Sequence, residues 1–150
     1  MRETFAGASS RLALFGLEWA KRLEAELGAS EAYRAAAASW KGSLAFVLEP
    51  DGTPGYSERR CVFLDLAYGN TRAVRPALSG DLDTATFQLS GPAAVWLRLL
   101  TGDLESGAAL MGGGLKLTRG SLFSLLPHLR AAEALLECAR QVPAALPATT

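Results

Sequence analysis

The segment from Glu58 to Arg75 limits the fold more than any other part of the chain. Between Glu58 and Ala67, Cys61, Phe63 and Asp65 alternate with Val62, Leu64 and Leu66. A strand that is largely apolar on both faces belongs in the middle of a sheet or under a cover. Gly69-Asn70 follows at once, a dipeptide suited to a tight hairpin turn. A third strand around Thr71 to Arg75 then returns antiparallel to the second. The chain must therefore build a sheet and hide both sides of its second strand.

Further strands flank this hairpin. Leu44 to Glu49 reads as the first, separated from the second by the turn residues Pro50 to Gly55. Thr84 to Ser90 reads as the fourth, with Ala85, Phe87 and Leu89 on one face and Thr84, Thr86 and Gln88 on the other. Leu115 to Thr118 reads as a short last strand.

Helical periods surround the strands. Ser9 or Ser10 caps a first helix whose Leu12, Phe15, Trp19, Leu23 and Leu27 share a face, with Gly28 just past its end. Ser30 caps a second helix, with Tyr33, Ala36, Ala37 and Trp40 on its apolar face and Gly42 ending it. Pro92 opens a helix bearing Val95, Trp96, Leu99 and Leu100, closed by Gly102. Leu104, Ala108 and Met111 mark a shorter helix before Gly112-Gly113-Gly114. The final helical region starts at Gly120-Ser121 and is kinked or split by Pro127. The reading is an α+β fold with roughly five strands, a mostly antiparallel sheet and helices over one face. One domain is expected across residues 1–150, with flexible ends at 1–8 and 144–150.

Composition excludes several functions. Basic and acidic residues number 15 each, so no broad positive surface awaits nucleic acid. The longest leader-like run, Leu12 to Ala20, contains Glu18 and is followed by Lys21 and Arg22. No apolar stretch approaches the roughly 20 residues of a membrane span. The two cysteines, Cys61 and Cys138, have no metal-ligand spacing and read as small hydrophobes in a reducing compartment. A cytoplasmic location is expected, without stable membrane insertion.

Catalytic constellations are poor. His128 is the single histidine and sits beside Pro127 at the helix break, a place for a surface or capping role. Ser121 and Ser124 are close to it in sequence, but no nucleophile elbow or base–orienter pair accompanies them. No phosphate loop, dinucleotide fingerprint or zinc pattern is present. The chain is expected to be no enzyme, with no cofactor and no metal.

One ordered set of motifs stands out. Ser90-Gly91-Pro92, Trp96, Leu100 and Gly102 are followed by Ala109-Leu110-Met111, Gly114-Leu115-Lys116-Leu117 and Gly120. Trp40-Lys41-Gly42 precedes the first strand, and Leu64-Asp65-Leu66 leads to Gly69. The set resembles the bacterial branch of the sterol carrier protein type 2 family over roughly residues 30–143. That resemblance implies an apolar tunnel between sheet and helices. It also implies binding of a fatty acid, acyl-coenzyme A, sterol-like molecule or phospholipid without catalysis.

The residues placed to line such a tunnel are Phe87 and Leu89 on the fourth strand and Trp96 and Leu100 on the next helix. Met111, Leu115, Leu117, Phe123 and Leu126 complete the expected wall. Apolar periodicity marks burial alone, so the same residues fit a solid core equally well. The competing expectation is an interaction module: a homodimer, or a surface for a partner enzyme, anchored by Trp19, Tyr33 and Trp40.

Overall fold

A computed structural model describes residues 13–112 and 114–143. The expected flexible ends lie outside the described residues, as do Ser9, Ser10, Leu12 and Gly113.

Helix α1 spans Leu17–Ala29 and buries Trp19, Ala20, Leu23 and Leu27. It begins later than its apolar period suggests. Phe15 sits before it with φ 67°, in the left-handed region that non-glycine residues seldom adopt. Gly16 takes the N-cap position. Phe15 is buried all the same, with its ring edge-on to Trp19 at 5.2 Å. Gly28 falls inside α1, because Ser30 ends this helix and starts the next. Its Oγ accepts the Tyr33 amide at 3.0 Å, capping α2 (Glu31–Ala36).

Five strands form one sheet: β1 (Lys41–Glu49), β2 (Arg60–Ala67), β3 (Asn70–Pro76), β4 (Phe87–Pro92) and β5 (Lys116–Arg119), in the order β3-β2-β1-β4-β5. β1 starts at Lys41, three residues before the expected start. Lys41 pairs with Ala67, and this draws Gly42 into the strand. The β2–β3 turn is Tyr68-Gly69, one residue earlier than expected, with φ of 53° and 84°. Positive φ at both central residues is the mark of a type I′ hairpin turn. All neighbours are antiparallel except β1 and β4, which are parallel.

The chain reaches β4 by crossing behind the sheet, where a short helix α3 (Asp81–Thr84) occupies what the sequence suggests is loop and strand. Asp81 explains the difference. Its carboxylate accepts the Leu78 amide at 2.6 Å and Arg75 Nη2 at 3.0 Å, which folds the crossing into a turn. β4 consequently begins at Phe87. Leu82 and Ala77 there pack on Ala45, Phe63 and Ala85, a small cluster on the far face.

The main core lies on the opposite face. Register places Val62, Phe46, Leu89 and Leu117 in one row across β2, β1, β4 and β5. Helices α4 (Ala93–Thr101), α5 (Ser106–Met111), α6 (Leu122–Leu125) and α7 (Leu129–Arg140) join α1 and α2 in this layer. Pro92 ends β4 and occupies the N-cap of α4, one position before its expected place. Trp96 Nε1 donates to the Val47 carbonyl at 2.9 Å and Arg140 Nε to the Leu99 carbonyl at 2.8 Å, tying α4 to β1 and α7 to α4. Pro127 splits the last helical region as its chemistry demands. A 3-10 turn, Leu126–His128, separates α6 from α7. Among the described residues, no helix is long and apolar enough to cross a membrane.

Candidate functional site

A cavity lies between the sheet and the C-terminal helices. Alternation along the strands sends Leu44 and Phe46 of β1, Leu66 of β2 and Leu89 of β4 to its floor, with Leu115 beside them. Tyr33 and Trp40 stand seven residues apart, on one face of α2 and the turn that continues it, and close one side. Trp96 of α4 and Leu110 of α5 close another. The roof is Leu125 of α6, His128 of the 3-10 turn, and Leu129, Ala131, Ala132, Leu135 and Leu136 of α7.

The unfilled space totals about 660 Å³, including a part that merges with solvent. The part enclosed by protein is a small fraction of this, with room for a few small groups as it stands.

Polar groups on the wall are few. Trp96 Nε1 is satisfied by Val47. Tyr33 is 1% exposed and Trp40 5% exposed, and among the described residues neither the Tyr33 hydroxyl nor Trp40 Nε1 has a hydrogen-bond partner. Burial pushes the Tyr33 phenol up to about 12, with a smaller push from Cys138. His128 meets the Trp40 ring edge-on, with centroids 4.7 Å apart. Among the described residues, no lysine, arginine or carboxylate lines the cavity.

Three expected residues, Leu89, Trp96 and Leu115, stand on this wall. Phe87 is buried beside it, its ring stacked on Trp40 at 5.5 Å. Leu100 and Leu117 pack half-buried against the core. Phe123 is 87% exposed and Leu126 43% exposed: the α6 turn faces Leu125 inward and sends its neighbours to solvent. Met111 ends α5, and its side chain is outside the described set.

Sequence reasoning missed the contributions of β1 and β2, and of Tyr33, Trp40 and His128. The Tyr33–Trp40 spacing was visible as an apolar face, and two aromatic side chains with buried polar ends were the signal that could have found them. The interaction anchors need correction. Trp19, Tyr33 and Trp40 are all inside the core, where none can grip a partner.

The serines and the histidine near the cavity have local partners within the fold. Ser121 Oγ accepts the Ser124 amide and donates to Ser124 Oγ, a cap for α6. His128 contacts the Trp40 ring. Among the described residues no group of three His, Cys, Asp or Glu is placed to hold a metal ion. Cys61 and Cys138 are free thiols, each pushed up chiefly by burial, which keeps them protonated and poorly nucleophilic.

Comparison with known proteins agrees with this architecture. The family model described as the SCP-2 sterol transfer family matches residues 20–120. A crystal structure of sterol carrier protein 2 is 37% identical with a TM-score of 0.77, covering 86% of this chain and 98% of that one. The solution structure of a conserved hypothetical protein from Thermus thermophilus, described as possibly a sterol carrier protein, is 35% identical with a TM-score of 0.78, covering 93% and 95%. Sterol carrier protein 2 from Yarrowia lipolytica, in its apo form, is 17% identical with a TM-score of 0.54 over 81% of this chain and 88% of that one, which supports the fold alone. A comparison with curated proteins returned no match. The ordered motifs, the five-stranded sheet and these similarities together place the chain in the SCP-2 sterol transfer family.

Proposed function

We propose that the chain binds and carries an apolar lipid in the cavity between its sheet and helices, with no catalysis of its own. The observation that carries this reading is the wall itself. It gathers apolar side chains from β1, β2, β4 and five helical segments around unfilled space, with no fixed charge among the described residues. Each methylene transferred there from water contributes roughly 0.8 kcal/mol, so a tail of a dozen carbons supplies ample gross stabilisation against association costs. Leu89, Trp96 and Leu115 are its binding residues, joined by Leu44, Phe46, Leu66 and Leu135. Two free thiols suit carriage within the cytoplasm.

The inner volume is smaller than a full tail, so loading requires the roof to move. The break at Pro127 divides that roof into α6, a 3-10 turn and α7.

The test is gentle purification followed by organic extraction and mass spectrometry, with a fluorescent fatty acid titration alongside. Co-purified acyl or sterol-like lipid and saturable binding at micromolar strength or better are expected. Neither extractable lipid nor probe binding would end the carrier reading.

A further inference from the structure

Six large hydrophobic side chains are exposed among the described residues, and three of them, Leu122, Phe123 and Leu126, fall within five positions. Leu126 keeps helical backbone angles after α6, with φ −52° and ψ −43°. Residues three and four apart therefore meet, and the three side chains share one side. Leu125, between them, points the other way and lines the cavity. The patch is thus the outer surface of the cavity roof.

Cations flank it. Arg119 lies three residues before Leu122 and Arg130 four after Leu126, and both are exposed, as is Lys116 on β5. The sequence from 106 to 132 holds these three basic residues and no Asp or Glu, in a chain whose charges balance at 15 each. Among the described residues none of the three cations has an ion-pair partner. Arg119 Nε donates to the Ala85 carbonyl at 2.7 Å, a neutral acceptor that leaves its charge uncancelled. Glu133, the next carboxylate along α7, is half-buried and already engaged.

We infer that this face docks reversibly on an anionic lipid bilayer. Phe123 enters the boundary between headgroups and acyl chains, and Arg119, Arg130 and Lys116 meet lipid phosphates. Apolar side chains beside uncancelled cations are the composition that binds such a surface. Area argues against a protein partner. Three side chains of this size expose at most a few hundred Å², whereas a stable protein interface needs roughly 800 Å² from each side. A bilayer requires no such matching area, since one buried ring and a few cations suffice for reversible attachment. The inference goes beyond lipid carriage and does not depend on what the cavity holds. Docking of this kind sets the cavity roof against the membrane.

The test is flotation of the full chain with two kinds of vesicle, at low and high salt. One is phosphatidylcholine alone, the other equal parts phosphatidylcholine and phosphatidylglycerol. Binding is expected to the anionic vesicles at low salt, with a loss at high salt as the charges are screened. Phe123→Ser binds them roughly tenfold more weakly or worse, because a ring no longer leaves water. Arg130→Gln lowers that affinity about fivefold, the effect of one cation near a charged surface. Melting temperatures of both variants match the natural protein, since both side chains are exposed.

No flotation with the anionic vesicles overturns the docking face and leaves lipid carriage intact. Equal binding by Phe123→Ser and the natural protein overturns it as well, as does binding indifferent to lipid charge. A large drop in melting temperature for Phe123→Ser also counts against it, since the ring is then covered within the chain. A dimer in light scattering that Phe123→Ser dissociates assigns the patch to a second copy instead.

Discussion

Under α1 the sheet face is closed by rings, whereas under α5, α6 and α7 the same face meets a hollow. Phe15 touches Trp19 and Trp96 edge-on, at 5.2 Å and 5.1 Å, and Trp96 lies against Phe46 at 5.0 Å. Leu14, Ala20, Leu23 and Leu27 fill what the rings leave. On the other side of Trp96 and Phe46 the wall is mostly leucine and alanine. There Leu122 and Phe123 of α6 and Leu126 of the 3-10 turn face outward, so three large side chains lie on the surface and leave the interior unfilled by them. Both regions have helical apolar periods. Large aromatics close one, and a roof broken at Pro127 leaves the other open.

This contrast predicts unequal costs for truncation. Trp19→Ala should destabilise by about 3–5 kcal/mol, the range for removing a packed ring. Leu135→Ala should stay near ~2 kcal/mol, since part of its surface already borders open space and fewer contacts are lost. Urea unfolding with comparison of midpoints and slopes measures both. Equal losses would mean that the two regions are equally solid.

Enlargement sharpens the same comparison. Ala20→Phe has no room and should cost about 1–3 kcal/mol or more. Ala131→Phe projects from the roof into unfilled space and should cost less than ~1 kcal/mol. A loss from Ala131→Phe as large as that from Ala20→Phe would show that the hollow cannot absorb a ring.

The smallest effect belongs to the far face, which serves as a control for both regions. Burial draws the Asp81 carboxyl upward, but the Leu78 amide and the Arg75 guanidinium outweigh it and hold the group below its ordinary value. A carboxyl lowered by folding stabilises the protein above its unfolded pKa, and that stability is lost as pH falls through the folded value. Asp81→Asn should therefore flatten the acid limb of the melting-temperature profile slightly and leave lipid binding unchanged. An altered probe affinity in that variant would break the separation of the two faces.

The order of elements was legible from strand alternation, from the Ser30 cap and from the helix breaker at Pro127, because each acts locally. The Phe15 turn and the α3 crossing were not, since tertiary packing and the Asp81–Arg75 contact decide them. Three of the four floor residues escaped for a similar reason. Leu44, Phe46 and Leu66 read as ordinary strand residues until register sets them opposite α7. Phe123 and Leu126 read as buried because their spacing is apolar, yet the short α6 turn exposes them. A period shows which face avoids water; the shape enclosed by several such faces exists only once they are assembled.

Titrating a fluorescent fatty acid into the natural protein and into Ala131→Phe, with melting temperatures for both, tests the hollow most directly. A lipid site there predicts roughly tenfold or greater weakening of probe binding in Ala131→Phe, about the loss of 1.4 kcal/mol, with melting little changed. Undiminished binding in a folded Ala131→Phe protein would place the lipid elsewhere or nowhere.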